Sequence, residues 1–118
     1  MENNFEKLKV WKLSHRLVLE IYELTKDFPK SEKFALVDQI RRSASSVPTN
    51  IVEGNERKSK KEYVQFLFTS KGSLAETNYH LLLARDLGYI SEVKYRELTI
   101  MVVEISKMLS ALIKYLKA

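Results

Sequence analysis

The chain has 118 residues, with twenty Lys and Arg against fifteen Asp and Glu, for a net charge of +5. That length sets a single domain, residues 1–118. The absence of cysteine excludes disulfides, thiolate chemistry and Cys-based zinc sites. The stretch Met1-Glu2-Asn3-Asn4-Phe5-Glu6 carries no apolar signal core, and no apolar run is long enough to span a bilayer. The sequence thus reads as a soluble, cytoplasmic protein with no membrane role.

Three glycines and two prolines leave few breakers, and the hydrophobic periodicity is helical throughout. A first helix is expected from about Lys7 to Lys26, with Leu8, Trp11, Leu17, Val18, Ile21, Tyr22 and Leu24 as its apolar stripe. Phe28-Pro29 stops it. Ser31 is the expected N-cap of the second helix, with Glu32 in its first turn. Phe34, Val37, Ile40, Ala44, Val47 and Ile51 follow at spacings of three and four, which makes a core-facing seam. Gly54 sits where a helix would end in a left-handed residue.

Within that helix, Pro48 lacks an N–H and crowds the carbonyl of Ala44, at a cost on the order of 3 kcal/mol. Either the helix kinks there or the segment is two helices in sequence. The seam keeps its phase across the proline, which favours a kink near Pro48. Ser43, Ala44, Ser45 and Ser46 have little bulk and allow a neighbouring helix to approach closely. Asn50 and Glu53 share a face, and Glu53 and Arg57 are at favourable i, i+4 spacing. Ser43, Ala44, Pro48, Asn50, Glu53 and Gly54 therefore read as residues of the bundle and its assembly.

Ser59-Lys60-Lys61-Glu62 is a capping box that opens a third helix running to about Leu87. Gly88 is placed as the C′ residue, followed by the apolar Tyr89-Ile90 of a Schellman ending. Ser91-Glu92 opens the fourth helix, which carries Leu98, Met101, Val102, Ile105, Met108, Leu109, Leu112, Ile113 and Leu116. Four long helices with short loops make an all-α, antiparallel, up-down four-helix bundle. Continuous apolar runs at Tyr63–Phe68, Leu81–Ala84 and Ile100–Val103 exceed one core-facing stripe, and a homo-oligomer would cover the excess.

Chemistry is sparse. His15 falls in a polar stretch and His80 in an apolar helix, with no metal-ligand pairing and no HExxH. Neither has an arginine four to six residues upstream, as helical ribonucleases of the HEPN kind require. No phosphate loop, GxSxG or paired carboxylate system occurs, so no catalytic residue, metal or cofactor is assigned. Charge is the stronger signal. Arg41, Arg42, Arg57, Lys58, Lys60 and Lys61 concentrate positive charge in one span. Such a patch either binds a polyanion, commonly nucleic acid, or is a solvated loop that keeps the protein soluble. With Tyr63 as the only nearby ring, binding would go to the backbone, with strong salt dependence and little sequence specificity.

The run Gln39-Ile40-Arg41-Arg42-Ser43-Ala44, the run Asn50-Ile51-Val52-Glu53-Gly54, and Gly72-Ser73-Leu74-Ala75-Glu76 resemble a small bacterial four-helix-bundle family. Its members are encoded in intervening sequences of 23S ribosomal RNA genes. Val10-Trp11, Phe28-Pro29 and Leu87-Gly88-Tyr89-Ile90 add to the resemblance, which covers nearly the whole chain. The chain is similar too to the accessory variability determinant of diversity-generating retroelements, of the same superfamily. The resemblance implies a homopentamer with a basic surface. For the retroelement relatives it implies RNA or DNA and a reverse transcriptase as partners. For the intervening-sequence members it implies no settled biochemical function. The resulting expectation is a non-catalytic, oligomeric nucleic-acid-binding accessory protein, with a protein-binding scaffold as the alternative.

Overall fold

Four α-helices carry most of the chain in a computed structural model that describes residues 4–118. They are α1 (Lys9–Thr25), α2 (Leu36–Asn55), α3 (Lys60–Asp86) and α4 (Glu92–Lys117). Short 3-10 turns precede α1 (Asn4–Lys7) and α2 (Lys30–Glu32), and the described residues contain no strand. Short connections make successive helices antiparallel neighbours. The α2–α3 contact is the most extensive, and α1 closes the bundle against α4. The result is a rod of 44 × 24 × 24 Å. Of the expected amino-terminal stretch, Met1 to Asn3 lie outside the described residues.

Local signals account for both ends of α3 and for the start of α4. The Ser59 hydroxyl accepts from the Glu62 N–H at 3.1 Å, and the Glu62 carboxylate takes the Ser59 hydroxyl at 3.4 Å. The Ser91 hydroxyl caps α4 by accepting from the Lys94 N–H. At the end of α3, Tyr89 N–H donates to the Ala84 carbonyl and Gly88 N–H to the Arg85 carbonyl. Gly88 has φ of +79°, so this is the full Schellman pattern.

The α1–α2 connection departs from expectation. Ser31 does not cap α2; the helix starts at Leu36. Its first N–H is taken instead by the Glu32 carboxylate at 3.3 Å. The other Glu32 oxygen accepts from the Tyr89 hydroxyl at 2.7 Å, so one carboxylate ties both loops at this end of the bundle. Phe34, placed on the seam by its spacing, precedes the helix and is 86% exposed. The buried face of α1 is Val10, Ser14, Leu17, Ile21 and Thr25. Tyr22, assigned to the stripe, is exposed.

Helix α2 continues through Pro48 as one element, which removes the two-helix alternative. Side chains supplement the carbonyls of the turn before the proline. Thr49 donates to Ser45 at 2.8 Å, Asn50 to Ser46 at 2.8 Å and Ser70 of α3 to Val47 at 2.7 Å. Asn50 thus bonds back within α2, to the carbonyl and hydroxyl of Ser46. Ser46 and Ser73 meet at 2.8 Å, and Thr77 Oγ1 lies 2.9 Å from Ser43 Oγ. Small hydroxyl residues therefore let α2 and α3 approach while satisfying one another's polar groups.

Gly54 completes that contact. It is buried inside α2 and does not adopt the left-handed ending its position suggested. A Cβ there would lie 2.8 Å from Tyr63 Cδ1 and 3.0 Å from Phe66 Cβ. Gly72, by contrast, lies mid-helix, and a Cβ added to it would have no neighbour within 4 Å. Gly72→Ala is therefore expected to raise stability by about 0.5–1 kcal/mol, read from the urea midpoint.

Candidate nucleic-acid interface

The six basic residues singled out by sequence divide into two groups. The three arginines are engaged. Arg41 donates from Nε to Thr25 Oγ1 at 2.9 Å and from Nη2 to the Tyr22 carbonyl at 3.2 Å, with its guanidinium 4.5 Å from the Tyr22 ring centroid. It ties α2 to the last turn of α1, where unpaired carbonyls and the helix dipole favour a cation. Arg42 pairs with Asp38 at 3.0 Å. Arg57 pairs with Glu53 at 3.3 Å and stacks on the Phe66 ring at 4.7 Å. Lys58, Lys60 and Lys61 are exposed, and none of them forms an ion pair with a carboxylate among the described residues.

Three more lysines join the last two, Lys71 further along α3 and Lys114 and Lys117 on α4. Lys60 and Lys61 line a groove of ≈ 340 Å³ between α3 and α4, with Val64, Gln65, Phe68, Leu116 and Lys117. An adjoining section of ≈ 540 Å³ is lined by Phe68, Lys71, Ser110, Ile113, Lys114, Lys117 and Ala118. Phe68 and Lys117 belong to both, so the two form one groove. Five lysines line it without an Asp or Glu side chain. Lys71 is positioned by donating to Ser110 Oγ at 2.9 Å.

The positions follow from helix geometry. Lys60, Lys61 and Phe68 lie on the first half of α3, and Lys114 and Lys117 on the last turns of α4. Antiparallel packing brings those halves to the same end of the rod. The cations in the last turn of α4 offset the negative end of its dipole. At the start of α3 the free N–H groups carry partial positive charge, which Lys60 and Lys61 reinforce. Such an end attracts anions through charge and through hydrogen-bond donors together.

Sequence reasoning missed Lys71, Lys114, Lys117 and Phe68. The i, i+3 spacing of Lys114 and Lys117 was visible, but the partner face was not. Tyr63, expected as the nearby ring, is half-buried against Gly54 and accepts a hydrogen bond from Asn55 at 3.3 Å. Phe68, five residues on, is 47% exposed and forms part of the groove.

The histidines lie away from this groove. His15 is exposed and stacks on Trp11 at 4.9 Å. His80 is buried, with Nδ1 3.1 Å from Ser43 Oγ. Burial holds the His80 pKa below its ordinary range, opposed by the charge of Glu76. The unfolded chain therefore binds the proton more readily. Stability from this group is present above about pH 6.5 and is lost as pH falls from there toward the folded pKa. His80→Asn is expected to flatten that acid limb in urea midpoints measured from about pH 7.5 to pH 5.

Comparison with known proteins decides kinship. The sequence pattern of the 23S rRNA-intervening sequence protein family matches residues 6–111. The chain belongs to that family. A solved protein from Bacteroides thetaiotaomicron, described as having unknown function and as coming from the S23 ribosomal protein family, shares the fold with a TM-score of 0.82. It is 29% identical, and the match covers 89% of this chain and 95% of that one. No curated protein matches. The span matched by the 23S rRNA-intervening sequence family includes Lys60, Lys61, Phe68 and Lys71, whereas Lys114 and Lys117 lie beyond it.

Proposed function

We propose that this protein is a non-catalytic, oligomeric accessory protein that binds the phosphate backbone of RNA or DNA. The observation that carries the reading is the α3–α4 groove, lined by Lys60, Lys61, Lys71, Lys114 and Lys117 with no carboxylate side chain among its lining residues. Ammonium groups on flexible stems suit phosphates as point charges and do not select a base. Arg41 and Arg42 contribute to bundle packing and to surface pairing in this reading. Arg57 and Lys58 extend the positive field beside the groove.

An apolar surface elsewhere supports the oligomer. Val93, Ile100 and Val103 are exposed on the outward side of α4, Ile100 at 70%. They continue, at helical spacing, the side that carries Ser110, Lys114 and Lys117 further down. A homopentamer is the expected assembly by family resemblance, with the apolar half of α4 in subunit contacts. Symmetry would then repeat the basic groove and raise the avidity of a weak single site. A reverse transcriptase is the expected protein partner if the gene lies within a retroelement.

Filter binding at low salt tests this reading. Wild type is expected to retain RNA and DNA oligonucleotides. The variant with Arg57, Lys58, Lys60 and Lys61 all changed to Glu is expected to release them while sedimenting as the same oligomer. No retention beyond that of a neutral control protein would refute nucleic-acid binding. Recovery of a protein partner after nuclease treatment would then favour the scaffold alternative.

A further inference from the structure

We infer that the groove takes a single strand of nucleic acid, with a base stacked on the Phe68 ring, in preference to a duplex. The inference rests on the backbone-binding reading above and specifies its ligand. Phe68 is a large aromatic side chain left 47% exposed, and it belongs to both sections of the groove. Lysines flank it on each side: Lys60 and Lys61 toward the start of α3, Lys71 one turn beyond, Lys114 and Lys117 across on α4. An exposed ring between rows of cations is the combination that single strands use, since charge follows the backbone and the ring receives a base. Bases inside a duplex are stacked on each other and cannot descend to a ring between two helices.

The dimensions agree with a short strand. Lys60 and Lys71 are eleven residues apart on one helix, or about 16 Å at 1.5 Å per residue. A strand of a few nucleotides covers that length, with Lys114 and Lys117 facing it from α4. The larger section of the groove, ≈ 540 Å³, falls within the size range of small-ligand sites, about 300–1,000 Å³. The buried Ile113 gives it an apolar floor beside the ring. A single stacking position predicts tolerance of base identity, because every base presents a π-face.

Phe68→Ala tests the inference on the intact protein. Fluorescence anisotropy would follow a labelled twelve-nucleotide oligo-dT or oligo-rU, and separately a duplex with the same number of phosphates. The expected result is a loss of single-strand affinity of about 5- to 100-fold, with duplex affinity unchanged and with recovery in Phe68→Trp. In a Trp11→Phe background, the Phe68→Trp side chain should also lose fluorescence when the strand binds. Salt-dependent binding of both probes without a selective effect of Phe68→Ala overturns the single-strand inference and leaves backbone binding standing. A change of sedimentation in Phe68→Ala also overturns it, by placing the ring in a subunit contact. Absence of binding to either probe overturns both.

Discussion

Gly54→Ala is expected to lower stability by about 1–2 kcal/mol, and Gly54→Val by about 3 kcal/mol. Intrinsic propensity points the other way, because alanine is favoured over glycine in a helix by about 1 kcal/mol. Packing decides the sign. The added Cβ would meet Tyr63 Cδ1 at 2.8 Å, Phe66 Cβ at 3.0 Å and the Tyr63 carbonyl at 3.2 Å. Two of those atoms are held by the α3 backbone, so the ring cannot relieve the contact by rotating alone. The α2–α3 helices would have to separate along a seam that Ser70 and Val47 close with a hydrogen bond of 2.7 Å. Thermal or urea unfolding checks the prediction, with Gly72→Ala as the control of opposite sign. A stabilised Gly54→Ala would show that the close approach is not needed for folding.

Lys114→Glu combined with Lys117→Glu is expected to weaken nucleic-acid binding as severely as Lys60→Glu combined with Lys61→Glu, by at least about a hundred-fold near 0.1 M salt. The two pairs lie more than fifty residues apart in sequence and line the same groove. Each reversal removes a phosphate contact and places a like charge where the phosphate would sit. If only the basic connection between α2 and α3 bound the polyanion, changes at the end of α4 would have little effect. The comparison therefore separates a groove from a loop, with competition against unlabelled oligonucleotide as the measurement. Lys114 and Lys117 are exposed, so the double variant should fold as wild type does.

These two predictions mark where the sequence was informative and where it was not. Ser59, Ser91 and Gly88 could be read directly, because caps and Schellman endings depend on a few consecutive residues. The fold class followed from long periodic segments and short connections. The seam of α2 was legible from Ile40 to Ile51, where spacing alone determines the buried face. Phe34 was misassigned because it matches that spacing while lying before the helix begins. Ser14 and Thr25 were missed on α1 because they bury polar side chains. Their hydroxyls bond to the carbonyls of Val10 and Ile21, and hydrophobicity gives no sign of it.

Gly54 shows a deeper limit. Glycine near a helix end commonly signals a left-handed cap, and Gly88 does behave so. Only the neighbouring helix distinguishes the two cases, since Gly54 is required by Tyr63 and Phe66 across the contact. The basic groove is limited in the same way. Lys60 and Lys61 stood out as part of a dense run, whereas Lys71, Lys114 and Lys117 are ordinary surface lysines until α3 and α4 are placed side by side. The arginines illustrate the converse. Arg41, Arg42 and Arg57 stand out in sequence as charge alone, and the folded chain adds a carbonyl or carboxylate partner to each.

The most direct test of the groove is a salt titration of binding to a twelve-nucleotide single strand. For five phosphate contacts, the logarithm of the association constant should fall against the logarithm of salt concentration with a slope of about −3.5. Affinity should therefore drop about a hundred-fold between 50 and 200 mM salt. The variant carrying Glu at positions 60, 61, 114 and 117 should lose binding while keeping its oligomeric state. A slope near zero, or wild-type affinity in that variant, would contradict the assignment of the α3–α4 groove as a nucleic-acid site.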